Sequence, residues 1–310
     1  MKALVSRAYG PLEELTIEDV PQLEPAPGQV LVRVEAAGLN AMDSKVVTGA
    51  AKDFLPVDHP FVPGADAAGT VAAVGAGVGD LVVGDPVVLT NGLAFGTLAE
   101  YVTIADGPAI AIRPAGLDPV HAAALPTAAL TAATMIDAAK LQPGESVLIV
   151  GASGGLGTFA VQFARQAGAR VLATGRAGEA ARLRELGADE VVEYQNADTA
   201  TETRRLVPGG VDVVLDMANA GPALAASAAA ARQGGRLVSP LGGPESFDRD
   251  VSATYITVQV PDGRLADLAE QAADGRLQVE VAATYPFDEA RRALVDFAGT
   301  HVFGKVAVEF

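Results

Sequence analysis

The 310-residue chain contains no cysteine and only three histidines. The first absence excludes disulfides, thiol nucleophiles and every thiolate metal site. His59, His121 and His301 stand far apart with no local ligand spacing, so a metal site is not expected. Positive charge is also scarce: 22 Lys and Arg face 38 Asp and Glu, a formal net charge of −16. Such a chain repels a phosphate backbone and an anionic bilayer alike, so neither nucleic acid nor membrane is expected as a partner. No apolar run approaches the roughly 18 residues of a membrane span. Residues 1–10 carry charge early and lack the apolar centre of a leader, which points to a cytoplasmic protein.

Half of the residues are hydrophobic and 19% are charged, a globular composition. The length suits about two domains. The first third reads as β-rich: Val30, Val32 and Val34 alternate with Leu31, Arg33 and Glu35, the period of a half-buried strand. Short apolar runs at 71–74, 81–83, 86–89 and 101–104, separated by Gly-rich turns, suggest a small barrel. Near Pro119 the pattern changes. Apolar strands at 146–150, 170–174, 190–194, 211–217 and 236–241 alternate with helical stretches at 156–167, 179–186 and 222–231, the pattern of a parallel sheet covered on both faces. Two further helices, 265–273 and 288–297, precede a last strand at 305–308. The expected fold class is α/β: a discontinuous β-rich domain over 1–118 and 261–310, and a doubly wound domain over 119–260.

Ser146–Val150 runs directly into Gly151-Ala152-Ser153-Gly154-Gly155-Leu156-Gly157, and an apolar helical stretch follows. A glycine loop between an apolar strand and a helix is a dinucleotide-binding signature. Backbone N–H groups at the helix start face the pyrophosphate, and the helix dipole favours its charge. The next strand ends in Gly175-Arg176, where an NAD site normally carries an acid for the ribose hydroxyls. Gly175 leaves room and Arg176 offers a guanidinium fork suited to a 2′-phosphate, which argues for NADPH. Tyr194 and Arg182 are accessory candidates.

Several blocks in order along the chain resemble the medium-chain dehydrogenase/reductase superfamily, and within it the zinc-independent quinone and enone oxidoreductases. They are Gly38-Leu39-Asn40-Ala41-Met42-Asp43, Pro63-Gly64-Ala65-Asp66-Ala67-Ala68-Gly69, Gly96-Thr97-Leu98-Ala99-Glu100-Tyr101, Ala124–Ala132, the glycine loop and Gly304-Lys305-Val306. The resemblance implies a GroES-like first domain, a Rossmann second domain, and hydride transfer from NADPH to a quinone or an α,β-unsaturated carbonyl. It implies that Asn40, Asp43, Lys45 and Thr131 serve the reaction. Thr127 and Thr131 would meet the nicotinamide half, Ala218, Leu241 and Gly242 would rim the cofactor, and Phe303 and Lys305 would close the site. Zinc-dependent relatives have an early Cys ligand, a His-Glu pair within the block that here reads Gly64-Ala65-Asp66, and a four-Cys lobe; all are missing here.

Each residue has a plainer reading. Asn40 would suit a turn; Asp43 and Thr131 would suit helix caps; Asp66 would suit a strand end held by backbone hydrogen bonds. The tyrosines that quinone reductases often carry after the Asn/Asp block are absent, with Phe54 and Leu55 in that region, so protonation falls to water or Lys45. Competing readings are an enoyl or alkenal reductase on the same site, and a non-catalytic NADPH-binding sensor or structural protein. The β-prone stretch Ser252–Val260 would leave an exposed sheet edge and hence a homodimer.

Overall fold

A computed structural model describes all residues from Met1 to Phe310. The chain forms two compact units, Met1–Thr127 with Val260–Phe310, and Ala128–Gln259. The division falls later than the change of pattern at Pro119, because the helix Pro119–Ala123 packs on strands of the first unit.

In the first unit a seven-stranded sheet is built around the long strand Gln29–Gly38. Its alternating valines face a core of Val30, Val32, Val34, Val71, Val87, Leu89 and Val102. One edge pairs along its length with Asp66–Val74. The other edge is shared: residues 29–33 pair with Tyr101–Ala105, and residues 36–38 pair with Lys305–Glu309. Irregularities between Leu31 and Val32 and between Val34 and Ala36 bend the strand between the two partners. Gly38 lies opposite both Asp66 and Ala307, and Asp66 lies opposite Thr90. Four strand ends therefore meet at one end of the sheet. The returning segment adds Val281–Pro286, parallel to Lys305–Glu309, and the helices Arg264–Ala273 and Ala290–Gly299.

The second unit carries a second seven-stranded sheet with strands in the order Glu190–Glu193, Arg170–Gly175, Ser146–Val150, Val211–Asp216, Ala231–Ser239, Val251–Tyr255 and Ser246–Phe247. All pairs are parallel except the last. Leu148, Leu172, Val192, Val214 and Leu237 are buried in the sheet core. Each such side chain contributes about 1.5–3 kcal/mol on burial. The doubly wound sheet and the GroES-like unit are the expected fold class.

Three local expectations are corrected. The run 81–83 is no strand: Val82 and Val83 are exposed, and the Val82 N–H donates to the Asp85 carboxylate in a tight turn. The helix expected over 222–231 ends at Ala228, and Ala231 opens a strand because its parallel pairing with Val211 and complete burial outweigh alanine's helix propensity. The edge expected to be bare at Ser252–Val260 is not: the strand stops at Tyr255, and the short strand Ser246–Phe247 covers its start.

Candidate active site

The nucleotide end of the second unit is built from local geometry. Gly151 follows the strand Ser146–Val150 with φ +87°, and its N–H donates to Thr174 Oγ1 on the next strand at 3.0 Å. The Gly154 N–H returns to Gly151 O, and the helix Gly155–Gln166 starts at once with no side chain capping it. Its first-turn N–H groups have no acceptor within the helix, which leaves Gly155, Leu156 and Gly157 as donors for an anion. A Cβ at Gly157 would stand 2.1 Å from Gly151 O, so only glycine lets helix and loop close together. Within the loop, Ala152 and Ser153 are buried.

Arg176 follows the strand Arg170–Gly175, and its Nε donates to the Tyr194 hydroxyl at 3.1 Å. Arg176, singled out for the 2′-phosphate, and the accessory candidate Tyr194 thus lie together. Glu179 directs its carboxylate to the Arg176 backbone N–H at 2.8 Å. At Gly175 a Cβ would stand 2.5 Å from the end of the Leu183 side chain, so packing also favours glycine there. Arg182 pairs with Glu185 in solvent. Ala218 is exposed beside the loop, where Gly151 approaches Met217 and Ala218. Buried Asp216 shapes this turn by accepting from the N–H groups of Ala218 and Asn219, both at 2.9 Å. Gly242 O accepts from Gly221 N–H, so the loop holding Leu241 and Gly242 borders the turn after Asp216. Thr131 is buried in the helix Pro126–Ala139.

The first unit holds a polar cluster at the four strand ends. Asp66, fully buried, accepts from Asn40 Nδ2 at 2.9 Å, from the Thr127 hydroxyl at 2.6 Å and from the Thr127 N–H at 3.2 Å. The last bond places a carboxylate at the start of the helix Pro126–Ala139, where the helix dipole favours it. Thr90 and Thr127 hydroxyls lie 3.1 Å apart. Lys305, 3% exposed, donates to Leu39 O at 2.6 Å and Asn40 Oδ1 at 2.5 Å, with Asp66 4.0 Å away. Burial lowers the Lys305 pKa, against the opposing pull of Asp66 and Asp43.

Asp43 lies in the first turn of the helix Ala41–Val47 and accepts from the Asn40 N–H at 2.8 Å. Its other oxygen, Oδ1, is buried without a partner. Burial pushes its pKa up to about 7, helped by the Asp66 charge and opposed by the N–H groups of Asn40 and Gly64 and by Lys305. Lys45 is exposed on the same helix, and Phe303 is half-buried in the turn before Lys305. Asn40, Asp43, Thr127 and Lys305 are therefore brought together, whereas the Lys45 side chain is directed to solvent. Sequence reasoning missed Asp66 as the centre of this cluster. Its partners Asn40 and Thr127 lie 26 and 61 positions away. The one signal was an acid inside the Pro63–Gly69 block.

These residues do not fit zinc. The Asp66 carboxylate is committed to an amide, a hydroxyl and a backbone N–H, and the cation facing it is the chain's own ammonium. His59 lies against Ser6 O and His121 pairs with Asp118, both apart from the cluster, and no group of three His, Asp or Glu converges anywhere.

A GroES-like unit together with a glycine-loop Rossmann unit defines a two-domain oxidoreductase. Residues 26–114 match the family model described as alcohol dehydrogenase GroES-like domain, and residues 186–308 match the model described as zinc-binding dehydrogenase. The chloroplast envelope quinone oxidoreductase homolog of Arabidopsis thaliana is 30% identical over 100% of this chain and 98% of its own length. The NADPH-dependent alkenal/one oxidoreductase of the same plant is 34% identical over 70% of this chain and 57% of its own. Among solved structures, the quinone oxidoreductase from Coxiella burnetii superposes with a TM-score of 0.89 at 28% identity, covering 100% and 99% of the two chains. The chain belongs to the medium-chain dehydrogenase/reductase superfamily and is of its quinone and enone oxidoreductase type. No helix is long and apolar enough to cross a membrane.

Proposed function

We propose that this oxidoreductase uses NADPH, works without zinc, and reduces a quinone or an α,β-unsaturated carbonyl. The observation that carries the cofactor choice is Arg176 joined to Tyr194 at the end of the strand Arg170–Gly175, where an NAD site would place an acid. A guanidinium whose Nε is held by a phenol keeps both terminal nitrogens to grip a 2′-phosphate. Gly155, Leu156 and Gly157 would hold the pyrophosphate through backbone N–H groups, and Ala218, Leu241 and Gly242 would border the dinucleotide. Bound NADPH supplies the hydride. The chain supplies orientation at one reacting partner and polar groups at the other. The NADPH-dependent alkenal/one oxidoreductase relative supports the same reading.

Zinc independence rests on the ligand chemistry: a carboxylate already satisfied by three protein donors, and no cysteine in the chain. Without a Lewis acid, activation of the acceptor oxygen falls to hydrogen-bond donors. Lys45, exposed on the helix Ala41–Val47, and water are the proton sources within reach of solvent. A homodimer belongs to the same proposal, formed through the part of the strand Val251–Tyr255 that lies beyond the short strand Ser246–Phe247. Sedimentation velocity reads it directly.

The test is oxidation of NADPH and of NADH, followed by nicotinamide absorbance, against benzoquinone, phenanthrenequinone, methyl vinyl ketone and hexenal, with and without a chelator. Turnover that prefers NADPH and ignores the chelator supports the proposal. Tight NADPH binding with no turnover on any acceptor would replace it with the sensor reading.

A further inference from the structure

A cavity of about 720 Å³ lies within the first unit, and the polar cluster does not line it. Alternate residues of a strand face opposite sides. A cavity touched by the successive residues Val102, Thr103, Ile104 and Ala105 therefore runs along the edge of the strand Tyr101–Ala105. Val34 N–H donates to Glu100 O and Asp106 N–H to Gly28 O, so the even-numbered residues bond to the strand Gln29–Gly38. The N–H and C=O groups of Thr103 and Ala105 point the other way and meet no protein partner. The strand Lys2–Val5 covers this edge only as far as Glu100, whose N–H donates to Lys2 O at 3.0 Å. There Met1 O turns aside to accept from Val20 N–H at 2.9 Å. Residues 21–27 then bow around the cavity and rejoin the sheet at Gly28, and no backbone bond joins them to the strand Tyr101–Ala105. Pro21, Pro25 and Pro27 on this outer wall have no N–H to give. The result is a slot one strand wide, in line with Lys2–Val5.

We propose that this slot binds an extended, basic peptide of a partner protein by strand addition to Tyr101–Ala105. The proposal is independent of the reductase reading. Three observations choose the occupant. A hydrocarbon ligand would leave the Thr103 and Ala105 backbone groups desolvated and unpaired, whereas a peptide answers each donor with an acceptor. The wall of residues 21–27 admits one chain and excludes the edge of another sheet. No charged side chain lines the cavity, and exposed acids adjoin it: Asp19 beside Val20, Glu24 beside Leu23 and Asp106 beside Ala105. Lys2 alternates to the face opposite Met1 and Ala3. A peptide continuing the line of Lys2–Val5 runs antiparallel to Tyr101–Ala105, so its N-terminal end meets Glu24 and Asp106. Basic residues belong at that end. About five residues, at roughly 3.3 Å each, cover the strand. Alternate side chains face the apolar wall of Phe61, Val62 and Phe95, which suits valine or isoleucine there.

The experiment uses the full chain and a fluorescein-labelled peptide, Arg-Lys-Val-Thr-Val-Thr-Val, with binding read by fluorescence anisotropy. N-methylation is walked along the peptide one amide at a time. Affinity should fall by about tenfold at every second amide and by less than about twofold at those between, the signature of a strand bonded along one edge. Thr103→Pro removes an outward N–H and no bond to the strand Gln29–Gly38, so the fold should tolerate it. It should weaken the peptide by about tenfold with the unfolding midpoint hardly moved. Should that variant fail to fold, the methylation walk on wild type and the exposed substitution Glu24→Lys carry the test. Glu24→Lys should weaken the basic peptide by about threefold and strengthen its Glu-Glu counterpart. Absence of saturable binding would overturn the inference. Equal losses at every methylated amide would do the same, since the cavity would then take apolar matter without strand pairing. A dimer that Thr103→Pro turns into monomer in sedimentation velocity would give the edge to a second copy and also overturn it.

Discussion

The glycine loop and the polar cluster solve the problem of holding a polar partner in opposite ways. At the loop the donors are backbone N–H groups of Gly155, Leu156 and Gly157, adjacent in sequence and fixed by one turn and one helix start. At the cluster the groups are side chains of Asn40, Asp66, Thr127 and Lys305, scattered over most of the chain and gathered by strand register. Backbone donors are neutral, so the loop can be built from small residues at little cost. The cluster buries two carboxylates and an ammonium, and its cost is offset by the donors that answer Asp66, while Asp43 Oδ1 stays without one. The contrast predicts that the cluster governs stability and the loop end governs affinity.

The hardest blow to this contrast would come from Asp66→Ala. It leaves the Lys305 ammonium without its nearest carboxylate and removes the acceptor for Asn40 and for both Thr127 donors. Stability should fall by about 3–5 kcal/mol, read by urea unfolding. A loss under about 1 kcal/mol would show that the cluster is not an interlocked unit.

Next in size is the pH dependence of Asp43. Its pKa rises from 3.8 in the unfolded reference to about 7 when buried. The folded state therefore binds this proton more tightly, so the group costs stability as pH rises from about 4 to about 7. At roughly 1.4 kcal/mol per unit the cost is on the order of a few kcal/mol. Asp43→Asn stays neutral throughout, and its stability relative to wild type should climb across that window. Parallel stability curves would mean that Asp43 is ionised in the fold at all these pH values.

The same contrast explains what could be read from the sequence. The strand Ser146–Val150, the loop and the following helix are contiguous, so apolar periodicity and glycine spacing reveal them together. Arg176 and Tyr194 were also visible, since each follows a parallel strand and adjacent strands bring their ends together. Asp66 was not, because its meaning depends on Gly38 and Ala307 lying in register with it and on a helix that begins at Pro126. Lys305 was expected to close the site from the returning segment. Its ammonium turns inward to Leu39 O and Asn40 Oδ1, a placement that depends on the pairing of the strands Lys305–Glu309 and Gln29–Gly38. At Gly175 the Leu183 contact adds a reason for glycine that the sequence did not show, because that contact is tertiary. Ala229–Ala231 misled for a related reason: an alanine run looks helical until burial and parallel pairing claim its last member.

Arg176→Ala sharpens the affinity side. Losing charge-assisted bonds to a 2′-phosphate should weaken NADPH by about ten- to hundredfold, with NADH unchanged and the unfolding midpoint hardly moved. Isothermal titration with both nucleotides checks it. An equal loss for NADH would place Arg176 on the shared part of the dinucleotide and remove the case for NADPH preference.

The smallest effect is expected at Arg182, and it tests whether position or mere positive charge matters at the nucleotide end. Arg182 is about as near in sequence to the end of the strand Arg170–Gly175 as a helical turn allows, but its guanidinium is taken by Glu185 in solvent. An exposed pair of this kind contributes about 0.2–1 kcal/mol, and salt screens it further. Arg182→Ala should therefore change NADPH affinity by less than about threefold, and the change should fade at high salt. On the proposed reading the Arg176 effect should persist there, because a guanidinium held by Tyr194 would grip the phosphate directly. Equal, salt-sensitive losses at both positions would mean that a diffuse field attracts the nucleotide. Recognition at this end would then be no more specific than its net charge, and the distinction between a built phosphate grip and a solvated surface arginine would fall.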